Sequence, residues 1–203
     1  MKKLSFLSLL GIIAALIYIV FTIVAIAYYP KPFSPLTNWL SDFGNQTQNP
    51  AGATYYNAGG ILTSAVLIVF FIGMYKWNTG DKKTQIFLAV SQVAGIVFAF
   101  CFMMSAFVPL GVNDYLHSVF SMMLFVFIGF FEIFSATAIR RNPASPKWTV
   151  YFGFVAAMIN FAFGVSFNFM NLFIGELVMI AVFIAYIITL ALTQGSNQKQ
   201  VPP

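Results

Sequence analysis

Residues 30–60 read PKPFSPLTNWLSDFGNQTQNPAGATYYNAGG, the one long polar segment lying between apolar runs that could each cross a bilayer. Lys31-Pro32 and Ser34-Pro35 hold the residue before each proline extended, which suits a chain leaving a helix and turning across the mouth of a bundle. Three features follow: Ser41-Asp42-Phe43-Gly44, the formal glycosylation acceptor Asn45-Gln46-Thr47, and Tyr56-Asn57-Ala58-Gly59-Gly60 at the start of the next apolar run. Any recognition or chemistry is expected to involve this loop.

Outward from it the chain is almost entirely apolar. Of its 203 residues 60% are hydrophobic and 7% charged, and the mean hydropathy is +0.87, whereas roughly a quarter of a soluble domain is charged. The composition predicts an all-α, polytopic membrane protein. Six runs approach the roughly 20 residues that a spanning helix needs, over about 6–28, 55–75, 85–107, 115–139, 149–168 and 174–193. They define a six-span domain over 1–195 with an outward loop at 30–54 and a polar cytoplasmic tail at 196–203. Backbone groups in a bilayer have no water to bond, so these runs must be helices packed as a single bundle.

Charge sets the expected orientation. Lys2, Lys3, Lys76, Lys82, Lys83, Arg140, Arg141, Lys147 and Lys199 fall on one side of a six-span arrangement and Lys31 alone on the other. The positive-inside rule then places both termini in the cytoplasm of a cell-membrane protein. The formal charge of +5 is spread over the ends of apolar runs and not gathered in a basic patch, so no nucleic-acid partner is expected. Lys2 and Lys3 precede an apolar run that closes in Ala25-Ile26-Ala27, but the run is far longer than a signal h-region of about 7–15 residues, and an uncleaved first span is expected. Cys101 has no intrachain partner and no metal-type spacing.

Polar residues inside apolar runs are costly and therefore informative. Helical spacing puts Asp114, His117, Ser121, Glu132 and Ser135 on one stripe of the fourth span. His117 and Glu132 are separated by roughly 22 Å along that helix, so they cannot share a site. Asp114 and His117 belong at the outer mouth near Asp42 and Glu176; Glu132 belongs in the inner half. Glu132 reads either as a proton or cation coupling residue or as a buried acid bonded to a neighbouring helix. Gly153, Ala157, Asn160, Gly164, Asn168 and Asn171 form a second stripe, suited to close packing within the bundle or to a homo-oligomer, with Asn168 and Asn171 near the mouth. Ser41 or Asp42 is expected to cap a short loop helix, and Glu176 also suits the positive end of the sixth helix. One histidine among carboxylates is a poor zinc set, so no metal or other cofactor is expected.

Ser41-Asp42-Phe43-Gly44, Tyr56-Asn57-Ala58-Gly59-Gly60, and Phe107-Val108-Pro109 followed by His117 together resemble a family of uncharacterised prokaryotic six-helix membrane proteins, classified as a domain of unknown function. The resemblance covers most of the chain; it implies six helices and an outward polar cluster at Ser41, Asp42, Asn57 and His117, and supplies no activity. More remotely, the Ser-Asp loop is similar to that of six-helix eukaryotic families linked with lipid-anchor remodelling and autophagy modulation. The Ser, Asp and His set is similar to that of ceramidase and adiponectin-receptor type hydrolases, which use several histidines where this chain has one. The leading expectation is a non-enzymatic protein binding a membrane lipid headgroup or small amphiphile through Ser41, Asp42, Asn57, Asp114, His117, Asn168, Asn171 and Glu176. The alternatives are a small proton- or cation-coupled transporter using Glu132 and a metal-dependent lipid hydrolase.

Overall fold

The computed structural model describes residues 4–166 and 173–195. Six long helices organise them: α1 Phe6–Ala27, α2 Ala53–Gly73, α3 Lys82–Phe107, α4 Asp114–Arg140, α5 Lys147–Ser166 and α6 Phe173–Gly195. Two 3-10 turns, Leu40–Gly44 and Met74–Trp77, complete the elements, and no strand occurs among the described residues. All except α5 are long and apolar enough to cross a membrane. α5 runs 20 residues, and the far end of the span expected over 149–168 lies outside the described residues.

Local chemistry sets where the helices begin. Ser5 Oγ accepts the Ser8 N–H at 3.1 Å and starts α1. Asp81 Oδ2 accepts both the N–H and the hydroxyl of Thr84 at 2.9 Å, which begins α3 at Lys82, ahead of the apolar run near Gln85. Asn113 Oδ1 accepts the Leu116 N–H at 3.0 Å and begins α4. Each cap satisfies an N–H that the first helical turn leaves without a partner.

Consecutive helices pack together, and α1 also lies against α6, so the first and last elements meet. Burial within lipid gains little from excluding water, so close packing and interhelical hydrogen bonds must hold the helices. The core is correspondingly aromatic. Phe71 of α2 meets Phe131 of α4 at 4.8 Å between ring centroids, and Phe98 of α3 meets Phe183 of α6 at 4.5 Å. Gly153 lets α5 approach closely: a Cβ there would collide with the Tyr186 ring and Ala136.

Polar groups in this core are paired across helices. Asn160 Nδ2 of α5 donates to both carboxyl oxygens of the fully buried Glu132 on α4 at 2.8 Å. Ser135 and the Tyr186 hydroxyl are 2.9 Å apart. The opposite surface is aliphatic, with Ile23, Val93 and Met158 more than half exposed, as a lipid-facing perimeter requires.

Arg141, just past α4, donates from Nε to Asp81 at 2.8 Å and ties that end to the start of α3. The Thr84 N–H and the Arg141 side chain hold the Asp81 carboxyl below its ordinary value, at about 2. A depressed folded-state value stabilises the fold fully above about pH 4, and the contribution drains away as pH falls towards the folded value. Asp81→Asn should therefore flatten the acid limb of the unfolding profile followed by circular dichroism in detergent. An unchanged limb would show that this pair carries none of the acid sensitivity. Asn160→Ala should cost about 1–3 kcal/mol in the same unfolding measurement, because Glu132 loses its amide partner.

Candidate functional site

The 3-10 turn at Leu40–Gly44 closes the end of the molecule where α1 exits and α2 begins. Asp42 Oδ2 accepts the Trp39 N–H at 3.0 Å, so the carboxyl reaches back over the turn from its third residue. The cap position belongs to Trp39 and not to Ser41 or Asp42, because the extended Trp39 backbone precedes the first turn residue. Burial pushes the Asp42 carboxyl up, while the Trp39 N–H, Asn38 and His117 pull it down. Phe43 beside it is fully buried among the rings of Tyr29, Phe33 and Tyr56.

Two asparagines fasten this turn to the helices. Asn57 Nδ2, in the first turns of α2, donates to the Gly44 carbonyl at 3.0 Å. The approach is so close that a Cβ on Gly44 would run into the Asn57 amide. Fully buried Asn49 donates to the Ala25 and Phe43 carbonyls at 3.1 and 3.0 Å and accepts the Gly52 N–H at 3.1 Å. Asn45 of the acceptor pattern is buried; its Oδ1 accepts the Thr47 and Gln48 N–H groups, and its amide lies against Gly111.

The most distant contact in sequence comes from α6. Glu176 Oε2 accepts the Leu40 N–H at 2.7 Å and the Ser41 N–H at 3.3 Å, with the Ser41 hydroxyl at 3.5 Å. Trp39 adds a ring contact with Phe173 at 4.6 Å between centroids. Glu176 therefore serves as a latch on the loop, beyond any effect on its own helix terminus.

Beneath the turn lies a cavity of about 30 Å³ whose polar lining includes Ser41, Asn57, His117, Ser121 and Glu176. At roughly 10–15 Å³ per water it has room for about two waters in this closed form. His117 is buried, and its Nδ1 lies 3.1 Å from the Ser105 carbonyl and 3.0 Å from that of Val108. Both partners are acceptors, so Nδ1 carries the proton and donates, leaving Nε2 to face other chemistry. These carbonyls belong to the last turn of α3, which Pro109 prevents from continuing. The Phe-Val-Pro and His elements are thus a helix exit and the side chain that caps it.

A second cavity, about 20 Å³ and apolar, continues towards the middle of the helices past Ala14, Thr63, Leu67 and Phe183. The two share Tyr18, Phe102 and Ile180 in their walls. At their junction the Tyr18 and Tyr56 hydroxyls are 3.1 Å apart, and the buried Thr63 hydroxyl has no hydrogen-bond partner among the described residues.

The structure thus gathers Ser41, Asn57, His117 and Glu176 around one space, with Asp42 in the turn above. Asp114 is exposed and accepts the Gly111 N–H at 2.6 Å, which fixes the α3–α4 turn outside the cavity. Glu132 sits in a separate contact between α4 and α5, and Asn168 and Asn171 lie outside the described residues. Among the described residues no three His, Cys, Asp or Glu side chains form a group able to hold a metal ion. Tyr18, Tyr56 and Asn49 do not stand out by spacing in the sequence. The sequence signal for Tyr18 is a lone tyrosine in the interior of a mostly aliphatic helix.

These helices and their internal polar contacts define a multi-pass α-helical membrane protein. The chain belongs to the family described as protein of unknown function (DUF998), which it matches over residues 12–194. No curated protein and no solved structure matches it.

Glu176→Ala should loosen the loop. Losing an acceptor for buried donors costs about 1–3 kcal/mol, so amide exchange at Leu40 and Ser41, read by mass spectrometry, should quicken by about tenfold or more. Unchanged exchange would show that the ring and asparagine contacts hold the turn unaided.

Proposed function

We propose that this protein binds a lipid headgroup or small amphiphile at the mouth beneath residues 30–60, with the Leu40–Gly44 turn as a lid and Glu176 as its latch. One observation carries the reading: the polar cavity and the apolar cavity share a wall, so polar and apolar linings run continuously from the mouth inwards. An amphiphile has the same polarity profile. Ser41, Asn57, His117 Nε2 and the Thr63 hydroxyl supply hydrogen-bonding groups along this path. The closed volumes are too small for a headgroup, so binding requires the lid to lift, and the latch is the contact that must open.

In this reading the chain crosses the cell membrane six times, with both termini in the cytoplasm and the mouth outside. In the sequence, nine of its ten cations fall on one side of a six-span arrangement, which supports that orientation. No catalytic step is assigned, and the protein acts as a binding component.

Native mass spectrometry of the full chain extracted gently with its membrane lipids tests the proposal. The wild type should retain an amphiphile, and Asn57→Ala or Thr63→Val should lose most of it. A wild type free of retained lipid, or equal retention in both variants, would overturn the reading.

A second reading, a proton- or cation-coupled carrier, draws on the Glu132 pair. Asn160 Oδ1 is buried without a partner beside a carboxyl that no cationic side chain reaches among the described residues. Cysteine labelling along α4 in a Cys101→Ala background discriminates: labelling at positions flanking Glu132 supports a water path, and complete protection removes it.

A further inference from the structure

The opposite end of the molecule carries a second, larger concavity that the mouth does not involve. It has a volume of about 470 Å³, formed where α4 ends and α5 begins, and is lined by Arg140, Ser145, Lys147, Val150, Tyr151 and Phe154. Lys147, Val150, Tyr151 and Phe154 follow helical spacing on one face of α5. That face begins with a cation, passes an exposed tyrosine, and ends on apolar side chains.

Charge at this end is unbalanced. Its one surface acid, Asp81, is engaged by Arg141. The exposed Arg140 and Lys147 form no ion pair among the described residues. Asp42, Asp114 and Glu176 belong to the other end, and Glu132 is fully buried against Asn160. Ser145 is the remaining polar wall, its hydroxyl donating to the buried Gln194 at 3.0 Å.

We infer that this groove binds the phosphate of an anionic phospholipid from the adjacent leaflet, with Arg140 and Lys147 on the phosphate and the acyl chain along Val150 and Phe154. Charge complementarity selects an anion. The choice of a lipid over a free phosphate rests on the apolar half of the same groove and on exposed Trp148 and Tyr151, aromatic types that sit at the bilayer interface. Basic pockets between membrane helices bind anionic headgroups on this principle.

The test is native mass spectrometry of the full chain titrated with phosphatidylglycerol or phosphatidylcholine of identical acyl chains. The wild type should prefer phosphatidylglycerol by about tenfold, and R140Q/K147Q should lose the preference while K82Q/K83Q, the same charge change at the same end, keeps it. The inference is overturned by a wild type without preference, by equal loss in both double variants, or by inorganic phosphate displacing the lipid at millimolar concentration. Should the double variant fail to fold, K147Q alone, at an exposed first helical position, is expected to halve the preference or more, and no change there counts against the site.

Discussion

The carboxyl of Glu176 joins the first loop to the last helix, and the closed mouth depends on that contact. It joins residues 136 positions apart, from Leu40 to α6. Helices α2 to α5 follow one another through short connections and would pair without it. The loop over 30–52 has no such constraint of chain connection, and its own turn is one short 3-10 element. Glu176 from the first turn of α6, Asn57 from α2, and the loop's own Asn49 bonded to Ala25 of α1 fix it from three directions.

The same economy runs through the interior. Where apolar solvent surrounds a helix, an inward polar side chain is useful only if another helix answers it. Glu132 finds Asn160, Ser135 finds Tyr186, and Tyr18 finds Tyr56. These contacts distinguish one arrangement of largely aliphatic and aromatic helices from many others of similar packing quality. His117 does comparable work at a helix end, spanning from the first turn of α4 to the last carbonyls of α3.

Helical class and the rough position of each helix were legible because a continuous apolar run is a strong, local signal. The polar stripe on the fourth span likewise anticipated inward positions for His117, Glu132 and Ser135, all buried. The cap of the loop turn was not legible: Ser41 and Asp42 are the residue types that cap, yet Asp42 acts from three residues along. Asp114 shares a stripe with His117, but one helical turn separates a buried ring from an exposed carboxyl already bonded to Gly111. Asn49 gave no signal, and Tyr56, although it opens the Tyr56–Gly60 segment, was not read as a site residue, because their roles depend on where the loop folds back, which no periodicity encodes.

One consequence follows from the way Glu176 grips the loop. Its shorter bonds go to main-chain N–H groups and not to the side chain of Leu40 or the hydroxyl of Ser41. The turn is thus recognised by the path of its backbone. The side chain at 41 can vary, except to proline, which lacks the hydrogen, whereas Leu40 is buried in the core and stays apolar. Descendants of one ancestral sequence could remodel the lining of the mouth for different occupants while keeping its closure, with position 176 as the invariant partner.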